Sequence, residues 1–506
     1  MNPASTDLRP ATRRLVSLKP EVRGDVPTEQ ALSHVPSVAP GSEPSWWLQE
    51  ALAAEGNPER AKELFEGIGV DVAIVGGGYT GLWTALALRE RAPALSIAVL
   101  EAEVCGAGAS GKNGGFVHGY WSALPRLAST FGDGTALEIA QFGSRAQDAL
   151  RAFCTGPGID VWWRENGILK ISCSPAQDAS IERLLATTKR LGVMHQALPL
   201  SRAEVQRRCA SPVYRDGVLL TEAANVQPAR LVRALRASAL SRGIRIFEQT
   251  EVLDVQPGSP ATLVSRFGRV SAREVVLASN AALSSHPRLR SHLTNFSSYM
   301  VLTEPVPDRL RAIGWIGNEG IDDARMFLHY YRTTQDGRVA MGSGSGPIGL
   351  GGRPSLRYTK DAATAARAEH GLRRLLPGLG SARITHAWGG AIDVAADHLP
   401  FFGTFPRTRI HYGCGYSGHG VNPSYIGGQI LASLVLDERN EWTQSIFCTR
   451  PVPALPPEPL RFIGGSLVRA AIIRCEEAEE ESREPPLWAS AGAAIPRIFK
   501  LRIGTR

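Results

Sequence analysis

The chain has 506 residues, 43% hydrophobic and 21% charged, enough for a large buried core and more than one layer of structure. Its formal charge of +8 would suit a nucleic-acid binder, but the basic residues are spread among acidic ones and accompany no nucleic-acid motif, so nucleic acid is not an expected partner. No apolar run reaches the ~20 residues of a membrane span and no signal peptide opens the chain, so no transmembrane segment and a cytoplasmic location are expected.

Residues 1–45 are rich in Pro, Ser and Arg and read as a disordered tail. Trp46 to Glu66 has apolar residues at helical spacing, interrupted at Gly56-Asn57-Pro58, and makes residues 46–67 an N-terminal helix. Val70 to Val75 is a short apolar strand, Thr80 to Arg91 a helix, and Ser96 to Leu100 a second buried strand. Together they form a βαβ unit of the usual ~30 residues. Helices are expected at 135–153 and 176–191, with antiparallel strands in GIDVWWRENGILKIS between them. A further helix, VQPARLVRALRASALSRG, leads into the strand IRIFEQTEVLDV. TLVSRF, REVVLASN, 296–304 and 326–342 read as strands, with a hairpin turn at Asp336-Gly337. A helix near 360–376 precedes the glycine-rich turn HYGCGYSGHGVNPS, which enters a last helix. Residues 441–506 form an extension, Pro-rich and then acidic at Glu476 to Glu481, expected to pack loosely. The seven cysteines, Cys105, Cys154, Cys173, Cys209, Cys414, Cys448 and Cys475, form neither a C-x-x-C pair nor a Cys/His cluster. They read as reduced structural thiols, with no metal site.

Gly76-Gly77-Gly78-Tyr79-Thr80-Gly81 fits G-x-G-x-x-G between the first strand and the helix. Gly76 permits the tight turn, Gly78 lets the backbone approach a pyrophosphate, and Gly81 lets helix and strand pack closely. The phosphates then lie on the helix N-terminus, where free N–H groups and the dipole favour negative charge. Glu101, twenty residues past Gly81 at the end of the second strand, suits ribose hydroxyls. A dinucleotide is therefore the expected ligand, and the fold class is α/β.

The next segment, GAGASGKNGG (Gly106 to Gly115), is a second glycine-rich loop. Here the chain resembles the D-amino acid oxidase/glycine oxidase (DAO) superfamily, which carries a G-A-S-G-R-N-G-G-like loop against FAD. Lys112 replaces the usual Arg and keeps its charge but not its fork geometry. NVQPARLVRAL, VVLASNAAL and HYGCGYSGHGVNPS resemble further family segments in the family's order, over roughly residues 70–435. Within the superfamily the chain is most similar to the gamma-glutamylputrescine oxidoreductase-like branch. The resemblance implies a Rossmann-type FAD-binding domain from 68–125, 212–285 and 385–440, and a discontinuous, sheet-based substrate domain from 126–211 and 286–384. It implies that FAD contacts Gly76, Gly78, Tyr79, Thr80, Gly81, Glu101 and Ala102 in the first unit. In the second loop the contacts are Ala109, Ser110, Lys112, Asn113, Gly114 and Gly115. Val252 would meet the adenine, Asn280 the ADP half and Gly389 the flavin. Gly418, His419, Gly420 and Val421 would stand at its pyrimidine end, where N–H groups favour the charge of reduced flavin.

Relatives that oxidise amino acids hold the substrate carboxylate with an Arg in a G-x-R-P segment or a Lys after the G-H-G turn. Here those places read Trp388-Gly389-Gly390-Ala391-Ile392-Asp393 and Asn422. A bidentate carboxylate clamp is therefore not expected. Some members attach flavin through a Cys where this chain has Gly390, so FAD is expected to be non-covalent. The expected reaction is oxidation of the C–N bond of a small amine without an adjacent carboxylate. Hydride passes to flavin N5, the imine is hydrolysed, and oxygen or another acceptor takes the electrons. Tyr330, Tyr331, Arg332 and Asp393 are the candidate substrate contacts, and no general base is assigned. The alternatives left open are an N-methyl, amino acid or hydroxyl-bearing substrate on the same fold, and a flavin-binding protein that is not a catalyst.

Overall fold

The computed structural model describes residues 44–56, 61–353 and 355–498. Of the expected N-terminal tail, residues 1–43 lie outside the described residues.

The fold is α/β, built on two large sheets. In the first, the strands Ile410–Cys414, Arg269–Leu277, Gly67–Val75, Ile97–Leu100 and Arg245–Phe247 run parallel in that spatial order. Phe401–Thr404 adds an antiparallel edge. Parallel strands buried on both faces demand continuous apolar runs, and Val72 to Val75 and Ile97 to Leu100 supply them. The helices Tyr79–Arg91, Pro228–Ser241 and Pro423–Val435 cover one face. An antiparallel hairpin, Val252–Gln256 with Ala261–Ser265, packs on the other. This is the doubly wound frame expected around the glycine-rich turn.

The second sheet is mostly antiparallel, in the order Ile384–Ala395, Leu293–Thr303, Val339–Ser343, His329–Thr333, Gly320–Asp323, Ile168–Ile171, Gly217–Leu220 and Ala197–Leu200. One face holds Tyr331, Met341 and Leu169 against the helix Ala362–Leu375. The other face turns toward the first sheet. Residues 217–220 and 385–395, which the sequence reading placed in the nucleotide-binding half, pair in this second sheet. The long strand Ile384–Ala395 thus runs from the substrate sheet back toward the first one.

The helices Asp133–Cys154, Pro175–Arg190 and Ala362–Leu375 fall within a few residues of their predicted positions. Three expectations need correction. The N-terminal helix is only Trp46–Ala54; residues 61–65 form no helix, and the Leu64 N–H bonds Thr250 Oγ1 at 3.1 Å. The strand expected in IRIFEQTEVLDV is two, split where Gln249 adopts φ +54° and the Thr250 N–H bonds the Glu101 carbonyl at 2.8 Å. In GIDVWWRENGILKIS only Ile168–Ile171 forms a strand, because Trp162 at φ +56° turns the chain before it.

The C-terminal extension does not pack loosely. It carries the helix Leu460–Glu480, whose acidic end enters the core: Glu476 is only 2% exposed. Its carboxylate accepts from Arg325 Nη2 at 2.9 Å and from the N–H groups of Met326 and Phe327 at 2.7 and 3.1 Å, while Glu480 pairs with Arg325 Nη1. Polar sequence at 476–481 therefore marks a buried ion cluster, not a solvated tail. Removing Glu476 leaves Arg325 paired with Glu480 but frees the Met326 and Phe327 N–H groups, so the cost falls below the ~3–5 kcal/mol of a fully stranded buried charge. Glu476→Ala should lower the melting temperature and expose residues 460–498 to limited proteolysis; unchanged melting and protection would refute this latch.

Candidate functional site

The glycine turn leaves the strand at Val75 with Gly76 at φ +111°, a conformation side chains rarely adopt, and a Cβ there would lie 2.6 Å from the Ala278 carbonyl oxygen. A Cβ on Gly81 would fall on the carbonyl of Gly76, so helix and strand could not pack as they do. One on Gly78 would stand 2.9 Å from Ser110 Oγ, which already accepts the Tyr79 N–H at 2.9 Å. The helix Tyr79–Arg91 has no acidic residue in its first turn and no side-chain cap. The N–H groups of Gly78, Thr80 and Gly81 find no acceptor among the described residues. These are the unspent donors an anionic ligand needs.

Glu101 ends its strand with Oε2 on the Gly77 N–H at 2.7 Å and Oε1 on the Glu103 N–H at 3.0 Å. Burial pushes its carboxyl up to about 7, against those N–H bonds. Ala102 follows it. Val252 is buried two residues beyond Thr250, whose N–H holds the Glu101 carbonyl. Ser279 Oγ, beside Gly76, is buried without a partner. A cradle that side chains would block, unspent N–H groups and an orphaned hydroxyl all fit a dinucleotide.

The second loop is held in one shape. Ala109–Gly111 forms a single 3₁₀ turn; Asn113 Nδ2 donates to the carbonyls of Ala109 and Ser110 at 3.1 and 3.0 Å, and its Oδ1 accepts the Gly115 N–H at 2.7 Å. Lys112 is buried, which lowers its ammonium's pKa, and its carbonyl accepts Trp388 Nε1 at 3.0 Å. A Cβ on Gly390 would stand 3.4 Å from Lys112 Cβ, whereas one on Gly389 would meet the Tyr299 ring. The loop's far end meets the second sheet. A Cβ on Gly114 would be 2.8 Å from the Tyr330 ring, and one on Gly115 would strike the Val226 carbonyl.

The candidate substrate residues separate. Tyr330 faces the loop, with its hydroxyl 2.7 Å from Ser298 Oγ and its ring edge-on to Phe116. Tyr331 points to the opposite face of the sheet, where its hydroxyl meets that of Tyr214 at 2.5 Å among Trp315 and Met341. That alternation follows from the two-residue period of a strand. Arg332 shares the face of Tyr330 but is tied to backbone: Nη1 donates to the Val226 carbonyl, Nε donates to that of Thr333 at 3.3 Å, and Trp47 lies 5.6 Å away. Burial, helped by Arg164, draws its pKa down to about 9. Asp393 is a buried latch: its carboxylate accepts the Gly415 N–H, and the amide of Asn280, turned to suit, donates to it at 2.7 Å. Burial pushes Asp393 up to about 7.

The glycine-rich turn closes the site. Gly418 lies beside Ile392, and the N–H groups of Gly420 and Val421 have no acceptor among the described residues. His419 Nε2 bonds the His118 carbonyl at 2.8 Å and its ring stacks on that of His118 at 4.4 Å. Burial pushes His419 down to about 4 and His118 well below its usual range, so both imidazoles are neutral at pH 7. Asn422 Nδ2 donates to the Gly143 carbonyl and Gln147 Oε1, both at 3.0 Å, so its donors are spent, while its Oδ1 is buried without a partner. The sequence reading missed Ser298, Phe116 and His118, which carry no motif. Among the described residues no three His, Cys, Asp or Glu side chains gather as a metal would require, and no helix is long and apolar enough to cross a membrane.

A family profile described as "DAO: FAD dependent oxidoreductase" matches residues 71–434. Gamma-glutamylputrescine oxidoreductase of Escherichia coli (strain K12) is 29% identical over 375 residues, covering 74% of this chain and 85% of that protein. A probable oxidoreductase, OrdL, of Rhizobium meliloti (strain 1021) is 27% identical over 411 residues, covering 80% and 89%. Among solved structures, glycine oxidase from Geobacillus kaustophilus superposes with a TM-score of 0.63 at 21% identity, covering 76% of this chain and all of that one.

The neutral histidines give a pH dependence. Unfolded, each titrates near ~6.5, so between about 6.5 and about 4 the unfolded chain binds more protons than the fold. Stability therefore falls as pH drops through that window. His419→Gln should make the fall in melting temperature between pH 7 and pH 5 shallower; an identical slope would contradict the assignment.

Proposed function

The chain belongs to the FAD-dependent oxidoreductase (DAO) family, and we propose that it oxidises the C–N bond of a small amine whose reacting carbon bears no carboxylate. One observation carries this reading: the places where a carboxylate clamp would stand hold no free cationic or N–H side-chain donor among the described residues. Asn422 is committed to Gly143 and Gln147, the Gly389-Gly390 stretch has no side chains, and Arg332 donates to backbone carbonyls. The amine chemistry is also supported by the name of the Escherichia coli relative.

FAD, held non-covalently, supplies the two-electron acceptor for the hydride leaving the amine carbon. The start of the helix Tyr79–Arg91 and Ser279 hold its phosphates, Glu101 its ribose, and the Gly106 to Gly115 loop and Gly418 to Val421 its ring. The chain's remaining tasks are orientation and exclusion of water. Tyr330, fixed by Ser298 and Phe116, forms the wall against which the substrate carbon rests. The neutral pair His118 and His419 places no positive charge there, which favours the unprotonated amine that can release hydride. The imine product takes up water and yields a carbonyl compound and ammonia or a shorter amine. Oxygen or another acceptor then removes the electrons, in the cytoplasm.

Holoprotein mixed anaerobically with a panel of primary and secondary amines should lose its flavin absorbance with at least one of them and keep it with α-amino acids. Tyr330→Ala, which removes that wall, should lower kcat/KM for that amine at least about tenfold, while Tyr330→Phe, which keeps the ring, should change it far less. Silence toward every amine, with bleaching by alcohols or by glycine, would overturn the proposal.

A further inference from the structure

The Gly106 to Gly115 loop is tied at both ends to a segment that lies ahead of the residues matching the family profile. That segment is Pro44 to Glu55, with the helix Trp46–Ala54 at its centre. A nine-residue helix is marginal by itself, so its contacts hold it in place. Its start grips the far part of the loop. Ser45, fully buried, accepts the Leu48 N–H at 3.1 Å and donates to the Gly111 carbonyl at 2.5 Å. Trp47 stands edge-on to Trp388 at 6.1 Å, and the Trp388 indole donates to the Lys112 carbonyl at 3.0 Å. The middle of the segment covers the loop: Trp47, Leu48 and Ala51 share one apolar cluster with Ala107 and with Met300 and Leu302 of the second sheet.

The end of the segment reaches the root of the loop through charge. Glu50 accepts from Gln227 Nε2 at 2.6 Å and from Arg230 Nη2 at 2.5 Å. Glu55 accepts from Arg233 twice, Nε at 2.6 Å and Nη2 at 2.7 Å. Arg233 Nη1 continues to Glu248 Oε1 at 3.0 Å, and that oxygen also accepts the Cys105 N–H at 2.8 Å. Cys105 immediately precedes Gly106. The loop needs such ties. Five of its ten residues are glycine, and glycine backbone loses the most freedom when it is ordered. Neither large sheet draws a strand from Pro44 to Glu55, so lifting the segment breaks no sheet pairing. Such an opening is local and far cheaper than unfolding.

We propose that Pro44 to Glu55 is a strap that retains the cofactor: it fixes the shape of the Gly106 to Gly115 loop, and FAD leaves only after the strap lifts. This rests on the reading above that the loop holds FAD. Ser45, Trp47, Glu50 and Glu55 are positioning residues, acting on the cofactor through Gly111, Lys112 and Cys105. A contact surface fixed beforehand spares a ligand the cost of ordering it. The strap therefore sets how long FAD stays, and contributes little to the stability of the empty fold.

Cofactor release tests the strap without any turnover. FAD-loaded protein is diluted, and free FAD is collected by ultrafiltration over time. Ser45→Ala and the double variant Glu50→Gln/Glu55→Gln should each release FAD at least about tenfold faster than the wild type, while Ser45→Thr, which keeps the hydroxyl, stays within about twofold. With FAD stripped off, each variant should melt within about 2 °C of the stripped wild type. Glu476→Ala, whose bonds reach neither strap nor loop, should do the reverse and melt lower with unchanged release. Hydrogen exchange of the stripped protein gives a second reading: amides of residues 106–115 should exchange at least about tenfold faster in the Ser45→Ala and double variants. Wild-type release rates in both, or faster release matched by a fall in the stripped protein's melting temperature, would overturn the strap. A wild type that takes up no FAD would overturn the cofactor reading, and unchanged exchange at 106–115 would then overturn the strap as well.

Discussion

The arrangement depends on close backbone approach along the Gly106 to Gly115 loop. On one side Ser110 Oγ takes the first N–H of the dinucleotide helix, and on the other Gly114 and Gly115 press against Tyr330 and the Val226 carbonyl. Lys112 is held from above by the Trp388 indole, and Ser45 Oγ donates to the Gly111 carbonyl. A side chain at 111 would strike the loop's own Gly106 carbonyl, one at 114 the Tyr330 ring and one at 115 the Val226 carbonyl. Because the same ten residues touch both, the place where a dinucleotide ends and the place where a substrate begins are fixed relative to each other.

Charge placement divides structure from chemistry. Most buried ions have their bonding capacity filled: Glu248 takes Arg233 and Arg236, Asp397 takes Arg450, and Glu476 takes Arg325. Such groups set the positions of elements and offer nothing to a ligand. Arg332 belongs with them, since the carbonyls it serves join the loop to the sheet. Groups with spare capacity at the candidate cofactor site include the N–H groups at the starts of two helices and the buried hydroxyl of Ser279.

Much of the nucleotide half was legible from the residues. Short apolar strands, a glycine turn and a carboxylate at fixed spacing have local causes, so the βαβ unit appears where the pattern puts it. The substrate half was less so. The strands Gly217–Leu220 and Gly320–Asp323 are four residues each, too short for periodicity, and are made by pairing with distant partners. Tyr331 and Arg332 could not be sorted from Tyr330 without knowing which face each meets. The short helix at Trp46 gave no sign of its role, which comes from Glu50 and Glu55 pairing with Arg230 and Arg233. Glu476 looked solvated because its partner Arg325 lies 151 positions away.

The central claim is that the helix at Tyr79 and the Gly106 to Gly115 loop together hold one FAD without a covalent bond. The most direct measurement is acid precipitation of the purified protein, with flavin quantified in both fractions. The account predicts close to one equivalent of FAD in the supernatant and a colourless pellet. A colourless protein that takes up no FAD when it is supplied, or flavin that stays with the precipitated chain, would contradict it.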